Sequence, residues 1–117
     1  MFDKKYKKRL GAWGEAVAEK YYQSRGWQTI AKNHRNVGGE IDLLLKKDGQ
    51  FLAVEVKTRH SQKYGWPEEA IDHHKLKKLI NSAYYAQEFF HIGSVIEIEI
   101  CCLEIKGHQA RISRVRL

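Results

Sequence analysis

Two carboxylates and a lysine near the middle of the chain have the types and spacing needed to bind a metal ion. Asp42 and Glu55 lie in two apolar, alternating segments separated by Asp48-Gly49. An Asp-Gly pair between such segments predicts a β-hairpin, because both central positions of a type I′ turn need φ > 0. This turn places Asp42 opposite Glu55, with Cβ atoms roughly 4.5–5.5 Å apart. Lys57 follows two residues later on the same face.

An opposed acidic pair destabilises a plain sheet, so a cation, a shared proton or water must offset the repulsion. Mg²⁺ prefers one or two carboxylates together with waters and substrate phosphate oxygens, which makes the pair a candidate Mg²⁺ site. The predicted register pairs Leu45 with Leu52, Leu43 with Val54 and Ile41 with Val56 on an apolar face. On the other face it pairs Leu44 with Ala53, Asp42 with Glu55 and Glu40 with Lys57.

The N-terminal segment supplies a further candidate. Residues 3–25 read as a helix that begins near Asp3 and ends at Gly26. Glycine inside a helix costs about 1 kcal/mol relative to alanine, so Gly11 and Gly14 call for a reason. Close approach to the sheet is one such reason, and it would carry Glu15 inward. The alternative is a solvated Glu15.

The remaining segments complete a mixed α/β arrangement. We predict strands at 27–33, 39–47 and 50–58, a polar loop at 33–39, a helix over 67–90 that begins at Pro67, and strands at 94–105 and 110–116. In the 94–105 strand, alternation places Glu97 and Glu99 on the face opposite the isoleucines. The order αβββαββ predicts one domain over 1–117, with a central sheet flanked by helices.

Charge and composition narrow the partners. The net charge is +7 and the sequence pI is about 9.5, which favours nucleic acid or an anionic membrane as the partner. No apolar run approaches the roughly 20 residues of a membrane span. The charged N-terminal segment is not followed by an apolar segment, so we do not expect it to be a secretory signal. The adjacent Cys101 and Cys102 lie in an apolar stretch, which indicates reduced thiols in the core of a cytoplasmic protein. No zinc-type Cys/His spacing or phosphate-binding glycine loop is present.

Basic side chains near the predicted hairpin and in the segment that follows it are candidates for contacting nucleic acid. Residues 59–66 combine basic and aromatic side chains, which suits phosphate contact and base stacking, although a polar loop with a packed Trp66 fits equally well. The candidate nucleic-acid-binding residues are Arg35, Arg59, Lys63 and Lys75.

Together these motifs resemble a known family. Asp42 followed by Glu55-Val56-Lys57 resembles the P-D-(D/E)-x-K nuclease signature without its proline. The chain is similar to the YraN-like family of small bacterial proteins, which are themselves similar to Holliday-junction resolvases. The matching motifs are Gly11-x-x-Gly14-Glu15-x-x-Ala18, Gly26-Trp27, Asn33-x-Arg35, Gly39-Glu40-Ile41-Asp42-Leu43, Val54-Glu55-Val56-Lys57-x-Arg59, Gly65-x-Pro67-x-Glu69-Ala70 and Lys75.

The resemblance implies a restriction-endonuclease-like fold and a metal-dependent DNA endonuclease that acts on structured or branched DNA. It implies that Asp42, Glu55 and Glu15 bind Mg²⁺, with Mn²⁺ as a substitute, that Lys57 is catalytic and that Lys75 is accessory. A homodimer is a further implication, with the last strand or the 67–90 helix as the interface. Two alternatives stay open: a non-catalytic nucleic-acid-binding module with this fold, and a protein-interaction domain with a solvated acidic pair.

Overall fold

A computed structural model describes residues 3–60 and 72–117. In this part of the chain, two helices and five strands follow one another in the order αβββαββ, which confirms the predicted α/β class with a mixed sheet between helices. The elements are α1 (Lys4–Ser24), β1 (Gln28–Asn36), β2 (Gly39–Lys47), β3 (Gln50–His60), α2 (His73–Phe89), β4 (Ile96–Lys106) and β5 (Gln109–Arg116).

The five strands form one sheet in the order β1-β2-β3-β4-β5. Neighbouring strands are antiparallel except β3 and β4, which pair in parallel from Phe51 opposite Ile96 to His60 opposite Ile105. A parallel pair needs a long crossover, and the chain segment that contains α2 supplies it. Neither helix of the described ranges is long and apolar enough to cross a membrane.

Each face of the sheet carries its own buried layer. Ala18 and Tyr22 of α1 pack on Leu43, Leu45 and other apolar side chains of one face. The other layer joins α2 to the opposite face, and its buried members include Leu44, Ala53, Leu79, Ala83, Ala86 and Ile100. Adjacent strand residues point to opposite faces of the sheet, so each strand contributes apolar side chains to the layer beneath α1 and to the layer beneath α2.

The central hairpin forms at the predicted turn. Asp48 and Gly49 both have positive φ, 50° and 78°, as a type I′ turn requires. The ladder pairs run from Lys47 opposite Gln50 to Leu43 opposite Val54, which confirms the predicted register over these five pairs. The predicted pairs beyond Leu43 and Val54 are wrong, because the ladder ends there.

Ile41 shows where the hairpin departs from strict alternation. The side chain of Ile41 lies in the α2 layer with Leu44, whereas Leu43 lies in the α1 layer. Residues 41 and 44 share a face only if the alternation resets between them, so the predicted apolar face with Ile41 beside Leu43 is not formed. This change of face follows the end of the β2–β3 ladder at Leu43 and Val54.

Two predicted element boundaries are also wrong. Strand β1 continues through the predicted 33–39 loop to Asn36, because its last residues pair with the start of β2, ending with Asn36 opposite Gly39. Helix α2 begins at His73, because Asp72 has extended backbone and accepts hydrogen bonds from the His74 and Lys75 amides. A single helix over 67–90 is therefore not formed, and the predicted start at Pro67 lies outside the described residues.

Glu99 lies on the face of β4 opposite the isoleucines, as predicted, and there it contacts Tyr22 of α1. Glu99 is only 2% exposed. The Tyr22 hydroxyl donates to Oε2 of Glu99 at 2.5 Å, and Nε of Arg116 donates to its Oε1 at 2.8 Å. A buried carboxylate is tolerated when it is paired and hydrogen-bonded in this way.

Candidate active site

Gly14 brings α1 against the sheet and thereby places Glu15. A Cβ at Gly14 would lie 1.8 Å from the Thr58 Oγ1 atom, so only glycine permits this contact. A Cβ at Gly11 would meet nothing within 4 Å. Close approach thus accounts for Gly14 and not for Gly11. Glu15, the next residue of α1, is half-buried, which favours the inward placement over the solvated alternative.

Asp42 lies where the β2–β3 ladder ends. The backbone amide of Val56 donates to Oδ2 of Asp42 at 2.8 Å, and the ladder pairs stop at Leu43 and Val54. The predicted ladder pair of Asp42 with Glu55 is therefore not formed. The physical reason is that the Asp42 carboxylate takes up a strand amide that the ladder would otherwise use, as Asp side chains do where regular pairing breaks.

Carboxylates crowd around Asp42. The pKa of Asp42 is raised from 3.8 to about 7, chiefly by burial and also by the carboxylates of Glu15, Glu55 and Glu40, against the opposing effect of the Val56 amide. Side chains from α1, β2 and β3 are therefore near enough to Asp42 for their charges to act on its pKa. The group of Glu15, Glu40, Asp42 and Glu55 is called the acidic centre below.

Glu15 is itself perturbed within the acidic centre. Its pKa is raised, chiefly by burial and also by Glu40, while a hydrogen bond from the Asn33 side chain and the charge of Lys32 oppose the shift. Asn33 has a positive φ of 50°, a backbone conformation that asparagine tolerates better than most residues. In the sequence Asn33 stands out only as part of a motif, because no short-range pattern links it to Glu15.

Two lysines border the acidic centre on the Glu55 side. Nζ of Lys57 lies 3.8 Å from Oε2 of Glu55. Burial lowers the pKa of Lys57, and the neighbouring Lys75 lowers it further, while Glu55 and Asp72 act in the opposite direction. Lys75 lies in the first turn of α2, where its amide donates to Asp72. Glu55 therefore joins the acidic centre to a pair of lysines from two different elements.

The donor chemistry of the acidic centre fits a Mg²⁺ ion held by few protein ligands. Within residues 3–60 and 72–117, no three His, Cys, Asp or Glu side chains are arranged to hold a metal ion. Mg²⁺ commonly uses one or two carboxylates and keeps several waters. Asp42 and Glu55 could supply such carboxylates, and a cation would offset the repulsion that raises the pKa of Asp42. Glu15 does not join them in a ready three-ligand cluster.

The other candidate residues for nucleic acid are dispersed. The side chain of Arg35 is 81% exposed, with Nε 3.4 Å from Oε2 of Glu40, so it lies beside the acidic centre. Arg59 is half-buried in β3, opposite Glu104 of β4. Lys63 and the motif residues Gly65, Pro67, Glu69 and Ala70 lie outside the described ranges.

Comparison with known proteins gives the family. A family model described as "Uncharacterised protein family UPF0102" matches residues 14–113. A UPF0102 protein from Syntrophomonas wolfei is 30% identical over 109 residues, which are 92% of this chain and 95% of the relative. One from Clostridium perfringens is 34% identical over 107 residues, or 90% and 85% of the two chains. One from Persephonella marina is 39% identical over 75 residues, or 64% and 65%. The chain belongs to the UPF0102 family, which confirms its resemblance to the YraN-like proteins.

Proposed function

We propose that this protein is a metal-dependent DNA endonuclease that hydrolyses phosphodiester bonds in structured or branched DNA. The observation that carries the proposal is Asp42, a half-buried carboxyl whose pKa is raised by burial and by the carboxylates of Glu15 and Glu55. A strongly perturbed carboxyl with specific charged neighbours is typical of a functional site. The net charge of +7 supports a polyanionic substrate, held chiefly through its phosphates.

Asp42 and Glu55 are the residues that would hold Mg²⁺ or Mn²⁺. A bound divalent ion would polarise a phosphoryl oxygen and counter the negative charge of the acidic centre. Glu15 would add negative charge from α1, which strengthens attraction for a cation. Asn33 lowers the pKa of Glu15 and would help to keep the Glu15 carboxylate ionised beside the centre.

Lys57 has the position and the lowered pKa for a role in the chemical step. In hydrolysis, the water oxygen bonds to phosphorus, one ester P–O bond breaks, and the departing oxygen leaves as a hydroxyl. Lys57 would orient the attacking water through hydrogen bonding, and its ammonium form would stabilise the charge that develops on the phosphoryl oxygens. Lys75, as an accessory cation, would hold an adjacent phosphate.

The experiment compares wild type with Asp42→Asn, Glu55→Gln and Lys57→Ala on labelled linear, flapped and four-way-junction DNA, with Mg²⁺ or Mn²⁺ titrated. We expect metal-dependent product from wild type and none above background from Asp42→Asn or Glu55→Gln. Lys57→Ala should lower the rate by roughly 10²–10³-fold, as removing one stabilising donor does in other enzymes. Asp48→Asn is the matched control, because it neutralises a carboxylate at the turn of the same hairpin. Wild-type cleavage in Asp42→Asn would refute the proposal.

The second candidate is a non-catalytic nucleic-acid-binding module with the same fold. The observation on its side is that Oδ2 of Asp42 is already engaged by the Val56 amide, so the local structure has a use for this residue without any metal. It predicts salt-sensitive binding of DNA with no metal-dependent product from wild type. Product formation alone separates the two candidates.

A further inference from the structure

A groove lies between helix α2 and the turn that joins β1 to β2. The open cavity has a volume of about 580 Å³. From α2 it is lined by His74, Lys77, Lys78, Asn81, Tyr84 and Tyr85, and its other wall is the turn between β1 and β2. This surface is called the α2 groove. It is separate from the acidic centre, and the function proposed above makes no use of it.

The wall formed by the turn is fixed in place. A Cβ at Gly38 would lie 2.7 Å from the Asn81 backbone, so the turn touches the helix directly. The Asn36 side chain donates to the carbonyl oxygen of Ser82 at 2.9 Å, and Gly38 donates to the Asn36 side chain. A ligand would therefore enter a groove that is already formed, without the cost of ordering its walls.

The groove changes in chemistry along its length. Its first part carries the basic side chains of Lys77 and Lys78, and among the described residues that line it none is acidic. Its far part carries Tyr84 and Tyr85, whose ring centroids are 6.4 Å apart with planes at 85°. Tyr84 is 74% exposed, which leaves its ring face open to solvent. Cations followed by open aromatic rings suit a strand whose phosphates and bases are both accessible.

The position of the groove connects it with the candidate active site. His74 precedes Lys75, the accessory cation that perturbs Lys57. From His74 to Tyr85 the helix rises roughly 16 Å. A strand that enters the acidic centre could therefore continue along α2.

We infer that the α2 groove binds an unpaired segment of DNA strand, with phosphates at Lys77 and Lys78 and bases stacked on Tyr84 and Tyr85. The inference rests on the proposed function only in taking DNA as the partner. It specifies the bound DNA as one with a single-stranded portion. Duplex DNA alone would leave the tyrosines unused, because its bases are stacked on one another.

The test is fluorescence anisotropy in EDTA with a blunt duplex and with the same duplex carrying an oligothymidine tail. We expect wild type to bind the tailed DNA more tightly. Tyr84→Ala/Tyr85→Ala should weaken binding of the tailed DNA by at least about fivefold and that of the blunt duplex by less than about twofold. Tyr84→Phe/Tyr85→Phe should keep the affinity. Ile80→Ala is the control, because it truncates an exposed side chain of α2 outside the groove.

Two further double variants test the proposed phosphate contacts of the groove. Lys77→Ala/Lys78→Ala should weaken binding of the tail and reduce the slope of log affinity against log salt by about 1.4. Lys20→Ala/Lys106→Ala, which removes two exposed lysines elsewhere, should change this slope and affinity less.

Equal binding of tailed and blunt DNA by wild type would overturn the inference, as would unchanged tail binding in both the tyrosine and the lysine variants. Sedimentation velocity tests whether a second copy of the chain occupies the groove instead of DNA. A wild-type dimer that becomes monomeric in Tyr84→Ala/Tyr85→Ala would mean that it does, and would also overturn the inference. Because binding is measured without metal, absence of cleavage would refute the nuclease proposal while leaving this inference intact.

Discussion

Replacing Asp42 with asparagine should make the protein more stable at high pH. In the folded protein the pKa of Asp42 is about 7, against an ordinary value of 3.8. The folded state therefore keeps a proton that the unfolded state releases between these two pH values. By linkage, the free energy of unfolding of wild type falls as pH rises through this window and levels off above it. Asparagine carries no charge, so the variant lacks this loss.

The magnitude follows from the pKa difference. A rise of roughly 3 units corresponds to about 4 kcal/mol at a pH above 7, since each unit is worth 1.36 kcal/mol. Burial of Asp42 is only partial, and the unfolded chain is not free of charge interactions, so we expect a gain of about 2–4 kcal/mol for Asp42→Asn near pH 8. The amide oxygen of asparagine can still accept from the Val56 amide. Near pH 4 the two proteins should have similar stability.

The assay is urea unfolding followed by circular dichroism at a series of pH values, in EDTA. The difference between Asp42→Asn and wild type should grow as pH rises from about 4 to about 7. Asp48→Asn is the control and should change stability by less than about 0.5 kcal/mol at any pH, because it lies exposed at the hairpin turn. Parallel pH profiles for wild type and Asp42→Asn would refute the reasoning. Added Mg²⁺ should stabilise wild type at high pH and not the variant.

Two further predictions concern packing around α1. Gly14→Ala should destabilise the protein by about 1–3 kcal/mol in thermal or urea unfolding, because the new methyl group would overlap Thr58. Gly11→Ala, with open space at that Cβ, should instead stabilise it by up to about 1 kcal/mol, and an equal effect at both positions would contradict this account. Tyr22→Phe removes the donor to buried Glu99 and should cost about 1–3 kcal/mol. A loss below about 0.5 kcal/mol would mean that the hydroxyl contributes little beyond what Arg116 supplies.

Much of the fold could be predicted because local signals agreed with one another. The Asp48-Gly49 turn fixed five ladder pairs correctly, since a two-residue turn and alternating apolar residues leave few choices of register. The order of helices and strands followed from the same patterns. The end of the ladder at Asp42 could not be predicted, because it depends on a hydrogen bond between a side chain and the Val56 amide.

Residues buried through distant polar partners were harder to predict. Alternation predicts the face on which Glu99 lies but not its burial, which the Tyr22 hydroxyl and the guanidinium groups of Arg114 and Arg116 make favourable. At the candidate site, the sequence pattern identified Glu15 through its helix position next to Gly14. It gave Asn33 and Glu40 no role, because their contribution arises only when β1, β2 and α1 come together.

The two adjacent cysteines of β4 provide a way to observe the two faces of the sheet separately. Cys101 is buried in the layer beneath α1 and Cys102 in the layer beneath α2. Burial raises the pKa of Cys101 to about 11, so its thiol is inert toward alkylating reagents while the layer stays closed. Single-cysteine versions of the protein would therefore act as paired reporters. Alkylation of one residue would measure how often α1 lifts from the sheet, and alkylation of the other how often α2 does.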